Sequence, residues 1–85
     1  MADIIIYTRD GCGYCTRAKS LISSKGVDYV EHNASQTPES RAEMIAKSNG
    51  GTTFPQIFIN GEHVGGFDDL HALDRAGKLD PMLAA

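Results

Sequence analysis

The only two cysteines of this chain stand three residues apart, in Gly11-Cys12-Gly13-Tyr14-Cys15. Thiols at that spacing can close a disulfide or contribute to a metal site, and the flanking residues bear on which. Asp3-Ile4-Ile5-Ile6-Tyr7-Thr8, dense in β-branched residues, comes directly before, and Thr16-Arg17-Ala18-Lys19-Ser20-Leu21-Ile22, with helical spacing, directly after. The thiols therefore sit where a strand turns into a helix. There they face unpaired backbone N–H groups and the positive end of the helix dipole, which favour thiolate, the form that attacks disulfides. A structural zinc site needs four ligands, but no second cysteine pair exists, and His32, His63 and His71 stand singly. The pattern points to a dithiol redox site. Cys12, exposed at the helix entrance, is the expected attacking sulfur, and Cys15, a turn further in and more covered, the resolving one. Tyr14, on the solvent side of the turn, is expected to shape the opening beside Cys12.

Two other stretches bear on binding. Thr52-Thr53-Phe54-Pro55 precedes an apolar run. Pro55 can simply start a strand; a cis Phe54–Pro55 bond would instead free the Phe54 backbone to pair with an extended peptide, and the sequence leaves both open. Gly65-Gly66-Phe67-Asp68-Asp69 is either a turn into a capped helix or an anion pocket, with backbone N–H groups for a carboxylate and an aspartate for an amine. Arg9 is a loop charge until a ligand carboxylate lies beside it.

The elements that must hold these residues follow from periodicity. Ile4 to Thr8 is a continuous apolar run, as in a strand covered on both faces. Arg9-Asp10-Gly11 breaks it. A helix is expected from about Gly13 to Lys25, with Ala18, Leu21 and Ile22 as its buried stripe and Gly26 closing it. Val27 to His32 reads as a half-buried strand, which completes a βαβ unit. Thr37 as N-cap, Pro38 at the first position and Glu39 on the dipole start a second helix, whose inner face is Ala42, Ile45 and Ala46 and which ends by Ser48-Asn49-Gly50-Gly51. Gln56 to Ile59 and Glu62 to Gly66 flank Asn60-Gly61, a strong hairpin signal. A third helix opens at Phe67-Asp68-Asp69-Leu70 with an aspartate as N-cap, packs Leu70 and Leu73 inward and stops at Gly77. Asp80-Pro81 starts a last turn through Ala85. The order β-α-β-α-β-β-α predicts an α/β, thioredoxin-like fold: a four-stranded mixed sheet with helices on both faces.

With 85 residues, the chain is expected to be one domain, 1–85. It is 41% hydrophobic and 22% charged, with the charges scattered, as in ordinary globular proteins. A net charge of -3 without a Lys/Arg run lacks the footprint of a nucleic-acid binder. Two cysteines are too few for a stapled secreted domain, no window approaches the roughly 18 apolar residues of a membrane span, and no basic-then-apolar segment opens the chain. A cytoplasmic location is the expectation.

Taken together, Tyr7-Thr8, Cys12-Gly13-Tyr14-Cys15, Thr53-Phe54-Pro55 followed by Gln56-Ile57-Phe58-Ile59, and Gly65-Gly66-Phe67-Asp68-Asp69-Leu70 resemble a glutaredoxin over nearly the whole chain, most closely the small bacterial dithiol type. The resemblance implies a thioredoxin fold with cis Pro55. It also implies a monomeric, glutathione-dependent oxidoreductase acting on protein–glutathione mixed disulfides and protein disulfides. It implies Cys12 as nucleophile and Cys15 as resolving thiol, with Tyr14 beside them. Phe54 would pair with the cysteinyl part of glutathione, Thr53 would line the same groove, Arg9 would meet the glycyl carboxylate, and Gly66, Phe67 and Asp68 would hold the γ-glutamyl end. Two departures stand out. Gly13 occupies a position where the dithiol members commonly have proline. Some glycine-containing members assemble a [2Fe-2S] cluster between two subunits, through the first cysteine of each and two glutathiones, so a dimeric cluster carrier with Cys12 as ligand is the alternative. The Ser48-Asn49-Gly50-Gly51 loop is also one residue longer than usual and lacks a common basic residue, which leaves Arg9 as the one cation identified for the glycyl carboxylate.

Overall fold

A computed structural model describes residues 2–84. Strands β1 (Ile4–Thr8), β2 (Val30–Asn33), β3 (Gln56–Ile59) and β4 (Glu62–Gly65) form one sheet in the order β2-β1-β3-β4. β1 runs parallel to β2 and antiparallel to β3, and β3 and β4 make an antiparallel hairpin. The helices are α1 (Gly13–Ser24), α2 (Pro38–Lys47), α3 (Phe67–Arg75) and α4 (Leu79–Ala84). This is the thioredoxin-like α/β arrangement expected from the element order.

The apolar run of β1 serves two cores, because successive side chains of a strand point to opposite faces. Ile4 and Ile6, with Ile57 and Ile59 of β3, pack under Ala18 and Ile22 of α1, Leu70 of α3 and Leu79 and Leu83 of α4. Tyr7 and Phe58 face the other way, against Met44 of α2. Asn60 and Gly61 turn the hairpin with positive φ, 53° and 81°, as Asn-Gly predicts.

Several boundaries differ from the sequence expectation. β2 begins at Val30 rather than Val27: the register sets Val30 opposite Ile5, and Val27 and Asp28 would fall opposite Ala2 and Asp3, before β1 starts. Val27 and Tyr29 still pack on the core, which explains their strand-like pattern. The inner face of α2 is Ser40 and Met44 with Ile45 beside them, followed by the buried C-cap Ser48, while Ala42 and Ala46 are exposed. A large apolar side chain, not small alanines, fills the space over Tyr7 and Phe58. β4 stops at Gly65, and the N-cap of α3 is Gly66 rather than an aspartate. α4 begins at Leu79, one residue before Asp80, and Ala85, where the last turn was expected to end, lies outside the described residues. Among the described residues no helix is long and apolar enough to cross a membrane.

Candidate functional site

Cys12 is the N-cap of α1: its backbone is extended (φ -98°, ψ 106°) and its Sγ accepts the Cys15 N–H at 3.2 Å. A sulfur in that position meets the positive end of the helix. Its loop is pinned to the end of β2, where the Ser35 hydroxyl accepts the Asp10 N–H at 3.0 Å and the Asn33 amide donates to the Asp10 carboxylate at 2.9 Å. Contrary to the expectation of an exposed Cys12, the residue is 8% exposed, against 2% for Cys15, because its side chain folds back over the first turn. Both thiols are free.

The two sulfurs differ in environment. Burial pushes the Cys15 thiol from its ordinary 9.0 up to about 11, a hydrogen bond to the Cys12 sulfur adds to this, and the Arg9 backbone N–H and charge oppose it. Cys15 is therefore a protonated partner held behind Cys12 at neutral pH.

A pocket of about 420 Å³ is lined by Arg9, Cys12, Gly13, Cys15, Lys19 and Glu31, among others. Lys19 pairs with Glu31 at 3.2 Å, and Glu31 accepts the Thr8 hydroxyl at 2.6 Å. The Thr8 hydrogen bond and then Lys19 hold the Glu31 carboxyl below its usual range against the opposing effect of burial. Sequence reasoning missed both charged residues. Lys19 carried a signal, since it stands seven residues after Cys12 and four after Cys15, on their face of the helix. Glu31 carried none, since its place depends on strand register.

A separate groove of about 280 Å³ is lined by Tyr14, Thr53, Phe54, Pro55, Gly66, Phe67, Asp68 and Asp69. It brings together Tyr14, Thr53, Phe54, Pro55, Gly66, Phe67 and Asp68 of the expected site, while the two cysteines and Arg9 line the neighbouring pocket. The cysteine motif contributes to both, through Cys12, Gly13 and Cys15 on one side and Tyr14 on the other. The Tyr14 ring, 54% exposed, stacks on Phe67 at 6.2 Å and carries the Arg17 guanidinium 5.6 Å from its centre. The Phe54–Pro55 bond is cis, the isomer that the resemblance implies.

At the groove's other wall, Asp69 accepts the Gly66 N–H at 3.1 Å, the reciprocal arm of a capping box. A glycine cap places no side-chain oxygen on the first-turn N–H groups of α3. Of the glycine pair, Gly65 is the constrained member: its φ is +118° and a Cβ there would collide with the Asp69 carboxylate. Asp69, which the sequence offered only as part of the Gly65–Asp69 stretch, therefore belongs to the site as a support for the Gly66 turn. Among the described residues, no group of three His, Cys, Asp or Glu side chains is placed to hold a metal ion.

A family model described as Glutaredoxin matches residues 4–64. The chain is 55% identical over 85 residues to a glutaredoxin of Pseudomonas aeruginosa, with 100% of both chains covered. It is 54% identical over 83 residues to glutaredoxin 3 of Escherichia coli, covering 98% of this chain and 99% of that one. Among solved structures, a buckwheat glutaredoxin–glutathione complex superposes with a TM-score of 0.88 at 34% identity, covering 98% of this chain and 77% of the other.

Proposed function

The chain belongs to the glutaredoxin family, whose members are glutathione-dependent disulfide oxidoreductases, and from that premise we propose how this single domain, 1–85, performs the reaction. The observation that carries the reading is the inequality of the two sulfurs, one capping a helix and the other buried with its thiol pushed up to about 11.

Cys12 thiolate attacks the glutathione sulfur of a protein–glutathione mixed disulfide. The old S–S bond breaks, the protein leaves as thiolate and takes a proton from solvent, and Cys12 is left bonded to glutathione. The thiolate of a second glutathione attacks that adduct, releases glutathione disulfide and restores Cys12. With an intramolecular protein disulfide, Cys12 forms a mixed disulfide with one protein sulfur. Cys15 then loses its proton and attacks Cys12, closing Cys12–Cys15 and freeing the reduced protein. Formation of the mixed disulfide removes the Cys12 hydrogen bond and charge that help to keep Cys15 protonated, while the Arg9 N–H continues to favour its thiolate.

Glutathione is the partner, and the buckwheat relative is a glutathione complex. Its cysteinyl backbone pairs with Phe54 beside cis Pro55, Thr53 flanks it, and Tyr14 shapes the opening. The γ-glutamyl end lies against Gly66, Phe67 and Asp68, where helix N–H groups suit a carboxylate and Asp68 an amine. The glycyl carboxylate takes Arg9, which requires the peptide to extend from the groove to the neighbouring pocket. The working form is a cytoplasmic monomer whose other partners are glutathionylated or disulfide-containing proteins. Titration of 15N-labelled protein with S-methylglutathione, which cannot exchange disulfides, tests the binding assignment. Saturable shifts are expected at Tyr14, Thr53, Phe54, Gly66, Phe67 and Asp68; no saturation, or shifts confined to other elements, contradicts it.

The second reading rests on Gly13. A Cβ there would meet nothing within 4 Å, so the space beside Cys12 is open although the backbone does not demand glycine. A [2Fe-2S] cluster supplies electron transfer or is itself the cargo when bound. Cys12 is the thiolate this chain would contribute, with the second protein ligand coming from another copy. Visible absorption of protein purified without oxygen tests it: a brown dimer supports this reading, and protein still colourless after reconstitution with iron, sulfide and glutathione removes it.

A further inference from the structure

Gln56, the first residue of β3, has a side chain that no step above uses, yet it is 5% exposed and bonded at both ends. Its Nε2 donates to the Thr53 carbonyl at 3.1 Å and to the Thr53 hydroxyl at 3.0 Å. Its Oε1 lies 2.6 Å from Nε2 of His63 on β4. The Thr53 carbonyl, which can only accept, fixes which end of the amide is nitrogen. Oε1 can only accept, so His63 presents Nε2–H. The His63 ring is in turn held over the Phe58 ring, 4.9 Å between centres and 29° from parallel.

Thr53 is exposed and lines the glutathione groove, while its two oxygens are gripped from behind. The grip has no slack. A Cβ on Gly51 would collide with the Ser48 hydroxyl and lie 3.1 Å from Gln56 Nε2, so the loop before Thr53 closes directly onto the amide. Ser48 secures that loop by accepting the Gly51 N–H at 2.9 Å and donating to the Met44 carbonyl at 2.7 Å.

We propose that Gln56 and His63 form a positioning pair, in which His63 orients the Gln56 amide and Gln56 sets Thr53, and through it the Phe54 backbone, for glutathione. The pair touches neither sulfur nor ligand. It acts on affinity, because a pre-set loop spares the ordering that binding would otherwise require. The inference rests on the glutathione reading of the groove.

Steady-state kinetics with a glutathionylated peptide varied at fixed excess glutathione, and a control without glutathione, test it, with urea unfolding of each variant alongside. Gln56→Met keeps the side-chain length and removes both ends of the link; its KM for the glutathionylated peptide, whose glutathione occupies the groove, is expected to rise about tenfold, the scale of one buried polar group left unpaired, with kcat within about twofold. Gln56→Glu still accepts from His63 but cannot donate to Thr53, and should behave like Gln56→Met. His63→Phe, at an exposed position, keeps the ring stack and removes the donor, so it should raise KM less. If His63 acts only through Gln56, the double variant Gln56→Met/His63→Phe is no worse than Gln56→Met alone.

An unchanged KM in Gln56→Met overturns the proposal, as do additive effects in the double variant or losses of kcat that track the unfolded fraction. Should Gln56→Met not fold, an unchanged KM in folded His63→Phe overturns it. Wild-type protein whose rate is independent of glutathione would overturn the function reading itself and this inference with it, a result distinct from a saturable wild type whose variants keep its KM.

Discussion

At the scale of single residues, the site is a contrast between two chemically identical side chains. Cys12 caps a helix and Cys15 is buried beneath it, and the difference has a consequence for stability as well as reactivity. A thiol whose pKa is higher in the folded state than in the unfolded chain keeps its proton longer when folded. The stability this contributes is fully present below about pH 9 and is lost as pH rises through about 11. Urea unfolding between pH 8 and 11 should therefore show wild-type protein losing stability more steeply than Cys15→Ser; equal slopes would show that the thiol is not perturbed. Tyr7, whose hydroxyl is raised by burial and then by its hydrogen bond to Glu43, adds a loss of the same sign to both proteins. The order of the two cysteines was legible in the sequence, because a strand followed by a helix fixes which thiol meets the helix end. The coverage of Cys12 was not, because it depends on the side chain folding back to accept the Cys15 N–H.

Among the elements, α2 shows where periodicity fails. Of the expected stripe Ala42, Ile45 and Ala46, Ile45 does pack on the core, but the two alanines face out and the helix turns Ser40 and Met44 inward, because the rings of Tyr7 and Phe58 leave a space that Met44 fills. Met44→Ala should lower unfolding stability by about 2–5 kcal/mol in urea titration, the usual cost of emptying such a site. A loss below about 1 kcal/mol would mean that α2 is held by other contacts. The helix starts were more legible. Thr37-Pro38 and the breaker before Phe67 marked α2 and α3 to within a residue, yet the cap of α3 is Gly66 with Asp69 reaching back, an arrangement set by Gly65 at positive φ. Strand register, which decides that β2 starts at Val30 and that Glu31 reaches Thr8 and Lys19, is a relation between distant segments and left no local mark.

For the molecule as a whole, two central strands, β1 and β3, with a core on each face bring three loops to one end of the sheet: the cysteine turn after β1, the Thr53-Phe54-Pro55 segment before β3 and the Gly-Gly turn after β4. The element order was enough to anticipate this architecture, and the spaced motifs were enough to anticipate that the groove residues meet. Neither could anticipate that Arg9 would share a pocket with the sulfurs rather than with Thr53, or that a buried amide would tie Thr53 to β4. The central claim is the division of labour between the sulfurs. Its most direct test is the rate of removal of glutathione from a glutathionylated peptide by Cys12→Ser and Cys15→Ser, each assayed with excess glutathione. Cys12→Ser should be inactive and Cys15→Ser should remain active with a glutathione adduct on Cys12; full activity in Cys12→Ser, or none in folded Cys15→Ser, would contradict it.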